Sequence, residues 1–286
     1  MPIRAFLLIL FAATAHATWN FLAKRFAENE QLIWFASVLE TLSLIPFVAW
    51  AVAAHGLPAS PMALLFLLAT GVLHLLYTEF LVRGYRTGDF TVVYPLARGS
   101  APLLTFAGAL VFLHERASVT AVLGALLISL GIVLASGVAS SMHKVTSRAS
   151  LMWGIATGVT IACYTIVDAY SVTKLMIAPL FVEYAETSFR ALVLSGKAWN
   201  QRATLRAELS RCWFAALYIA LLFPASYIAA LSAMKLAPVS HVAPVREMSM
   251  MIGMYLGARF LQEEDVMRKV IGSALIAGGV AALALG

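Results

Sequence analysis

The sequence predicts an all-α membrane protein of ten transmembrane helices, arranged as two five-helix repeats of inverted topology. Three observations carry that prediction. Of 286 residues, 62% are hydrophobic and only 12% charged, where a soluble domain has roughly 45–50% apolar and about 25% charged residues. Apolar runs close to the roughly 20 residues that cross a bilayer follow one another along the whole chain. Finally, a shift of 148 residues lays the second half of the chain on the first.

In chain order the candidate spans are 3–23, 32–54, 62–82, 90–113, 119–139, 150–172, 176–196, 212–234, 239–261 and 268–285. The first, in MPIRAFLLILFAATAHATWNFLAKR, is long for a cleavable leader and has His16, Trp19 and Asn20 in its second half. It reads as a membrane helix. The fourth carries Pro95, Arg98, Gly99 and Pro102 near its start. An arginine that deep costs about 2.5–3.5 kcal/mol on insertion scales, so it must face protein or water rather than lipid. The seventh holds Glu183, Glu186 and Arg190, and the spacing of four puts Glu186 and Arg190 on one face as an ion pair. Two connections stand out: the polar stretch Ser140–Ala149, and Lys197–Arg211, the most charged loop. So little lies outside the spans that there is no room for a soluble catalytic domain.

In the 148-residue register, VLGALLISLGI at 122–132 falls on VIGSALIAGGV at 270–280. Arg98 falls on Arg246, Glu115 on Glu263, His16 on Tyr164 and Asn20 on Asp168. The halves are 1–139 and 150–286. Five is odd, so the second half enters the membrane from the opposite side, the inverted repeat common in secondary transporters. Gly124 and Gly131, like Gly272 and Gly279, are two turns apart on one face and predict close helix packing.

Several classes are excluded. The net charge of +6 lies between apolar runs, where it serves membrane orientation and lipid headgroups rather than nucleic acid. Cys163 and Cys212 have no metal-ligand spacing and read as small apolar fillers. There is no phosphate-cradling glycine loop and no G-x-S-x-G element, so neither ATP hydrolysis nor serine hydrolysis is supported. No metal or cofactor is expected.

Arg98 and Arg246 head the candidate residues. Each follows a proline (Pro95, Pro244) inside an apolar helix and offers a two-pronged donor for a carboxylate, phosphate or phosphonate, or else braces an internal carboxylate. Glu247 is a poor partner for its neighbour Arg246, because adjacent side chains on a helix diverge. His16, Trp19 and Asn20 share a face suited to a cavity wall. Tyr94 completes the substrate-binding set, while His74, Tyr77 and His241 are secondary candidates whose commoner role is packing. Among the intramembrane carboxylates Glu40, Glu79 and Asp168, the expected ion-coupling residues are Asp168 and Glu79.

The segments AHATWNFLAKR, GDFTVVYPLARGSAPLLTFAGALVFLHERAS and GALLISLGIVLAS resemble EamA domains of the drug/metabolite transporter superfamily. Weaker echoes in the second half are LAPVSHVAPVREMSMMIGMYLGARFLQEE and IGSALIAGGVAAL. The resemblance implies a tandem permease in which helices 1, 3, 4, 6, 8 and 9 surround a central cavity and helices 5 and 10 pack behind. Smaller multidrug relatives couple protons through a glutamate in the first helix; this chain has His16 there.

The expected function is a secondary transporter of a small polar metabolite, anionic or zwitterionic, such as an amino acid, phosphonate or organic acid. It would work in the inner membrane as a monomer or homodimer, by alternating access. The rival class is a membrane-embedded enzyme or lipid-headgroup-handling protein using Glu79, Arg83 and Arg86. Orientation stays open: thirteen basic residues against four favour external termini by the positive-inside rule, whereas the resemblance implies cytoplasmic ones.

Overall fold

A computed structural model describes residues 1–26, 31–87, 90–136, 148–200, 202–252, 255 and 266–285. The helices are α1 (Ile3–Arg25), α2 (Leu32–His55), α3 (Pro61–Thr87), α4 (Phe90–Phe112), α5 (Val119–Ser136), α6 (Arg148–Thr173), α7 (Pro179–Asn200), α8 (Arg202–Met234), α9 (Val239–Arg246) and α10 (Val266–Leu285). There is no strand among the described residues. Glu263 and most of Ser140–Ala149 lie outside them.

The bundle is apolar outside and polar within. Leu7, Phe11, Phe47, Leu65, Leu126, Ile155, Leu192 and Leu221 are exposed, whereas Glu40, Arg98, Asp168, Glu183, Glu186, Arg246 and Glu247 are buried. In water this arrangement would be perverse, since charged residues are almost never fully buried and large apolar patches mark contact surfaces. In lipid it is the expected one. The chain is therefore an all-α, multi-pass membrane protein. Five helices, α1, α2, α3, α6 and α8, contain apolar stretches long enough to cross; α4, α5 and α10 hold shorter ones, Leu96–Phe112, Val119–Ala135 and Val270–Leu285. Helix α7 falls short because Glu183, Glu186 and Arg190 interrupt its hydropathy, yet these charges point inward and are covered.

One sequence expectation needs correcting. Lys197–Arg211, taken as a loop, is helical on both sides of Gln201. Ala, Leu, Arg and Glu dominate the stretch, and all four are strong helix formers even where no apolar face demands a helix.

The closest helix packing is α5 on α10. A Cβ added to Gly124 would lie 2.8 Å from the Gly279 carbonyl oxygen and 2.8 Å from Leu283; one added to Gly131 would lie 2.7 Å from the Gly272 oxygen. The reciprocal approaches, Gly279 to Gly124 and Gly272 to Gly131, are both 2.6 Å. Backbones meet where side chains would ordinarily hold them apart, as small-residue seams in lipid allow. Gly272→Leu is accordingly expected to lower thermal stability in detergent by at least the about 1–3 kcal/mol of an overpacked core. Gly278→Ala, with nothing within 4 Å of the added carbon, serves as the control and should melt like the parent.

Elsewhere α4 packs on α6, α1 on α8, α3 on α6 and α7, and α2 on α7 and α8. At one end of the bundle the Met1 amino group bonds the Ala284 carbonyl at 3.0 Å. Glu115, in the turn after α4, accepts the backbone N–H of Val239 (2.6 Å) and Ser240 (2.9 Å). It thus caps the first turn of α9, where unpaired N–H groups and the helix dipole favour a carboxylate. A separate hollow of about 520 Å3 between α3, α4 and α6 is walled by Phe66, Leu104, Phe112, Val159 and Ile166. It is apolar and holds none of the buried charges.

Candidate functional site

Helix α9 is short for a local reason. Pro244 has no N–H to return to the Ser240 carbonyl, which weakens the ladder there. The helix ends at Arg246, Glu247 turns with its N–H on the Pro244 carbonyl at 3.0 Å, and helical backbone resumes over residues 248–252. The break leaves both Arg246 (7% exposed) and Glu247 (3%) inside the bundle.

Glu247 does not pair with its neighbour. It reaches across to Arg98 on α4, with 3.6 Å between Nη1 and Oε1. The other prong of Arg98 lies 3.2 Å from His16 Nε2 on α1. A guanidinium can only donate, so Nε2 must accept, which makes His16 a neutral imidazole protonated on Nδ1. Arg246 has Tyr164, Glu247, Tyr227 and Arg98 as its electrostatic neighbours, and among the described residues it makes no ion pair. Among the described residues, Glu247 is thus the carboxylate set against both guanidiniums.

A second polar group adjoins the first. Tyr227 on α8 donates to Asp168 Oδ2 on α6, and His74 Nε2 on α3 lies 3.2 Å from both. His74 Nδ1 lies 3.6 Å from Glu186 Oε1 on α7. Arg190, one turn on, donates to Glu186, to Glu40 of α2 at 3.2 Å and to Ser37 Oγ at 2.7 Å. Its guanidinium also stacks on Phe223, 4.7 Å from the ring centre. The Glu186–Arg190 pair expected from their spacing is therefore present, within a network that spacing does not reveal.

Of the residues named from sequence, the structure brings together His16, Trp19, Arg98, Arg246 and Asp168. Trp19 sits edge-on to His16 (5.1 Å) and Phe223 (5.0 Å), and its buried indole N–H finds no partner among the described residues. Asn20 donates to the His16 carbonyl of its own helix at 2.8 Å. Glu79 is not part of the cluster: it is half exposed and bonded to Arg83 at 2.5 Å, one turn away on the same helix. His241 touches only its neighbour Ser240 within this set. The side chains of Tyr94 and Arg86 lie outside the described residues. Sequence reading missed Tyr227 and Glu247 as site residues. The only signal for Glu247 was its place beside Arg246; for Tyr227 there was none.

The central side chains come from α1, α3, α4, α6, α8 and α9, the helices that the resemblance places around a cavity. Residues 3–137 match the model of the EamA-like transporter family. Over that first half the chain is similar to EamA-like transporters. One solved crystal structure matches over the whole of this chain and 98% of its own length, with a TM-score of 0.74 at 16% identity, a likeness of fold. No curated protein matches the chain at significant similarity. Members of the EamA family are transporters rather than enzymes.

Proposed function

We propose that this protein is a secondary transporter of a small anionic or zwitterionic metabolite, held at a central site by Arg246 and Arg98. The observation that carries this reading is the guanidinium of Arg246, buried beside Arg98 and Glu247 and without an ion pair among the described residues. A buried charge without a partner costs several kcal/mol, and an anionic group on the ligand would supply the missing partner with bidentate geometry. The free indole N–H of Trp19 and the hydroxyls of Tyr164 and Tyr227 would serve its polar remainder. Tyr94 belongs to the same proposed set, and Asn20 holds the wall behind His16.

Alternating access between two inverted halves, 1–139 and 150–286, is the motion we assign to it. Support comes from the helix bounds: moving α1 forward by 148 residues gives 151–173 against Arg148–Thr173 for α6, and α5 gives 267–284 against Val266–Leu285 for α10. The α5–α10 seam supports the same reading. Gly124 meets Gly279 and Gly131 meets Gly272, so equivalent positions exchange partners as across a two-fold axis. Asp168, hydrogen-bonded between His74 and Tyr227, is the ion-coupling residue of this scheme; Glu79 has a weaker claim. The protein would lie in the inner membrane among lipids, as a monomer or homodimer.

The test is a thermal-shift panel on the purified protein. Acetate, methylphosphonate, glycine and choline sample the anionic, zwitterionic and cationic classes. Stabilisation by the anions or the zwitterion, absent in Arg246→Gln, is the expected result. Stabilisation by choline alone would overturn the assignment.

A further inference from the structure

We propose that Glu40 and Glu183 form a carboxyl pair that holds one proton between α2 and α7, a proton-binding site separate from the arginine site. Four carboxylates, Glu40, Asp168, Glu183 and Glu186, are at most 1% exposed in this part of the bundle. Arg190 satisfies one oxygen of Glu186 and one oxygen of Glu40. His74 has carboxylates against both ring nitrogens, Asp168 at 3.2 Å from one and Glu186 at 3.6 Å from the other. Glu183 is left over. It is fully buried, and among the described residues neither of its oxygens has a hydrogen-bond partner, nor does Oε1 of Glu40.

These two side chains are electrostatic neighbours across the α2–α7 contact, where Thr187 Oγ1, one turn from Glu183, donates at 3.5 Å to the carbonyl of Ser37, one turn from Glu40. As carboxylates neither has a hydrogen to give, so they would repel in a medium that screens little. One proton converts the contact into an O–H···O⁻ bond, as paired carboxyls that share a site do.

The groups that face the pair are Arg190, Glu186 and Thr187, with Ser37 and Tyr77 beside Arg190. Among the described residues, no three His, Cys, Asp or Glu side chains converge as a metal site would require. From the pair a continuous run of contacts leads through Arg190, Glu186, His74 and Asp168 to Tyr227, an electrostatic neighbour of Arg246. Coupling of this proton to substrate movement rests on the transporter reading above. The proton site itself does not.

Infrared spectroscopy of the full chain in liposomes at neutral pH tests it. Wild type is expected to show the C=O stretch of one protonated carboxyl per chain, and Glu183→Gln to lose it while keeping the anion response of the thermal panel. Absence of the band from wild type, or its persistence in Glu183→Gln, would overturn the proposal. So would sodium ion raising the melting temperature of wild type but not of the variant, which would make sodium the occupant. If the variant does not fold, the wild-type band decides alone. Loss of the anion response with the band intact would remove the substrate reading and leave the proton site standing.

Discussion

Arg190→Leu is expected to destabilise the bundle by about 3–5 kcal/mol, the cost of removing one partner from a buried ion pair. The leucine would fit the apolar packing around Phe223, so the loss would come from charge. Glu186 and Glu40 would both lose their cation, beside a third carboxylate at Glu183 that never had one. Arg190→Lys should recover only part of the loss, because an ammonium cannot reproduce the fork that meets Glu186, Glu40 and Ser37 together. Melting curves in detergent read the effect directly. A wild-type melting temperature in Arg190→Leu would show that the carboxylates do not depend on it.

Arg246→Ala is expected to weaken binding of an anionic or zwitterionic ligand about 10- to 100-fold, as the loss of a charge-assisted hydrogen bond of roughly 1.5–3 kcal/mol implies. The melting temperature of the empty protein should hold, since Arg246 has no carboxylate of its own to abandon and repels Arg98. Arg98→Ala differs in kind. It strands Glu247, removes the donor to His16, and should lose stability as well as affinity. Equilibrium binding and melting temperature measured side by side separate the two arginines. Equal stability losses in both variants would mean that each merely braces the bundle.

The sequence already showed the elements whose cause is local or repeated. Arg98 was conspicuous because arginine is expensive in a membrane helix, and Arg246 because the 148-residue register laid it on Arg98. The glycine seam was visible as a two-turn spacing in both halves. Glu186 and Arg190 were visible as a spacing of four. What the sequence concealed was which helix each charge faces. Glu40 and Glu183 are 143 positions apart, and no spacing rule links them. Glu79 looked like a buried carboxylate because apolar residues surround it in the chain, yet on the helix it faces outward with Arg83. The charged stretch from Lys197 misled in the opposite way: polarity argued for a loop, while helix propensity carried α7 and α8 to either side of Gln201.

The α5–α10 seam also bears on ancestry. Its contacts have the form that two identical five-helix chains would make with each other, inserted in opposite senses. In such a homodimer a change at one position alters both contacts at once. If the halves are the proposed repeats, the two sides of one chain are free to drift: Ala135 lies against Gly272, whereas Leu283, 148 positions on from Ala135, lies against Gly124. On the proposed inverted repeat, a small residue at one place and a large one at the other is an asymmetry that two identical chains could not carry.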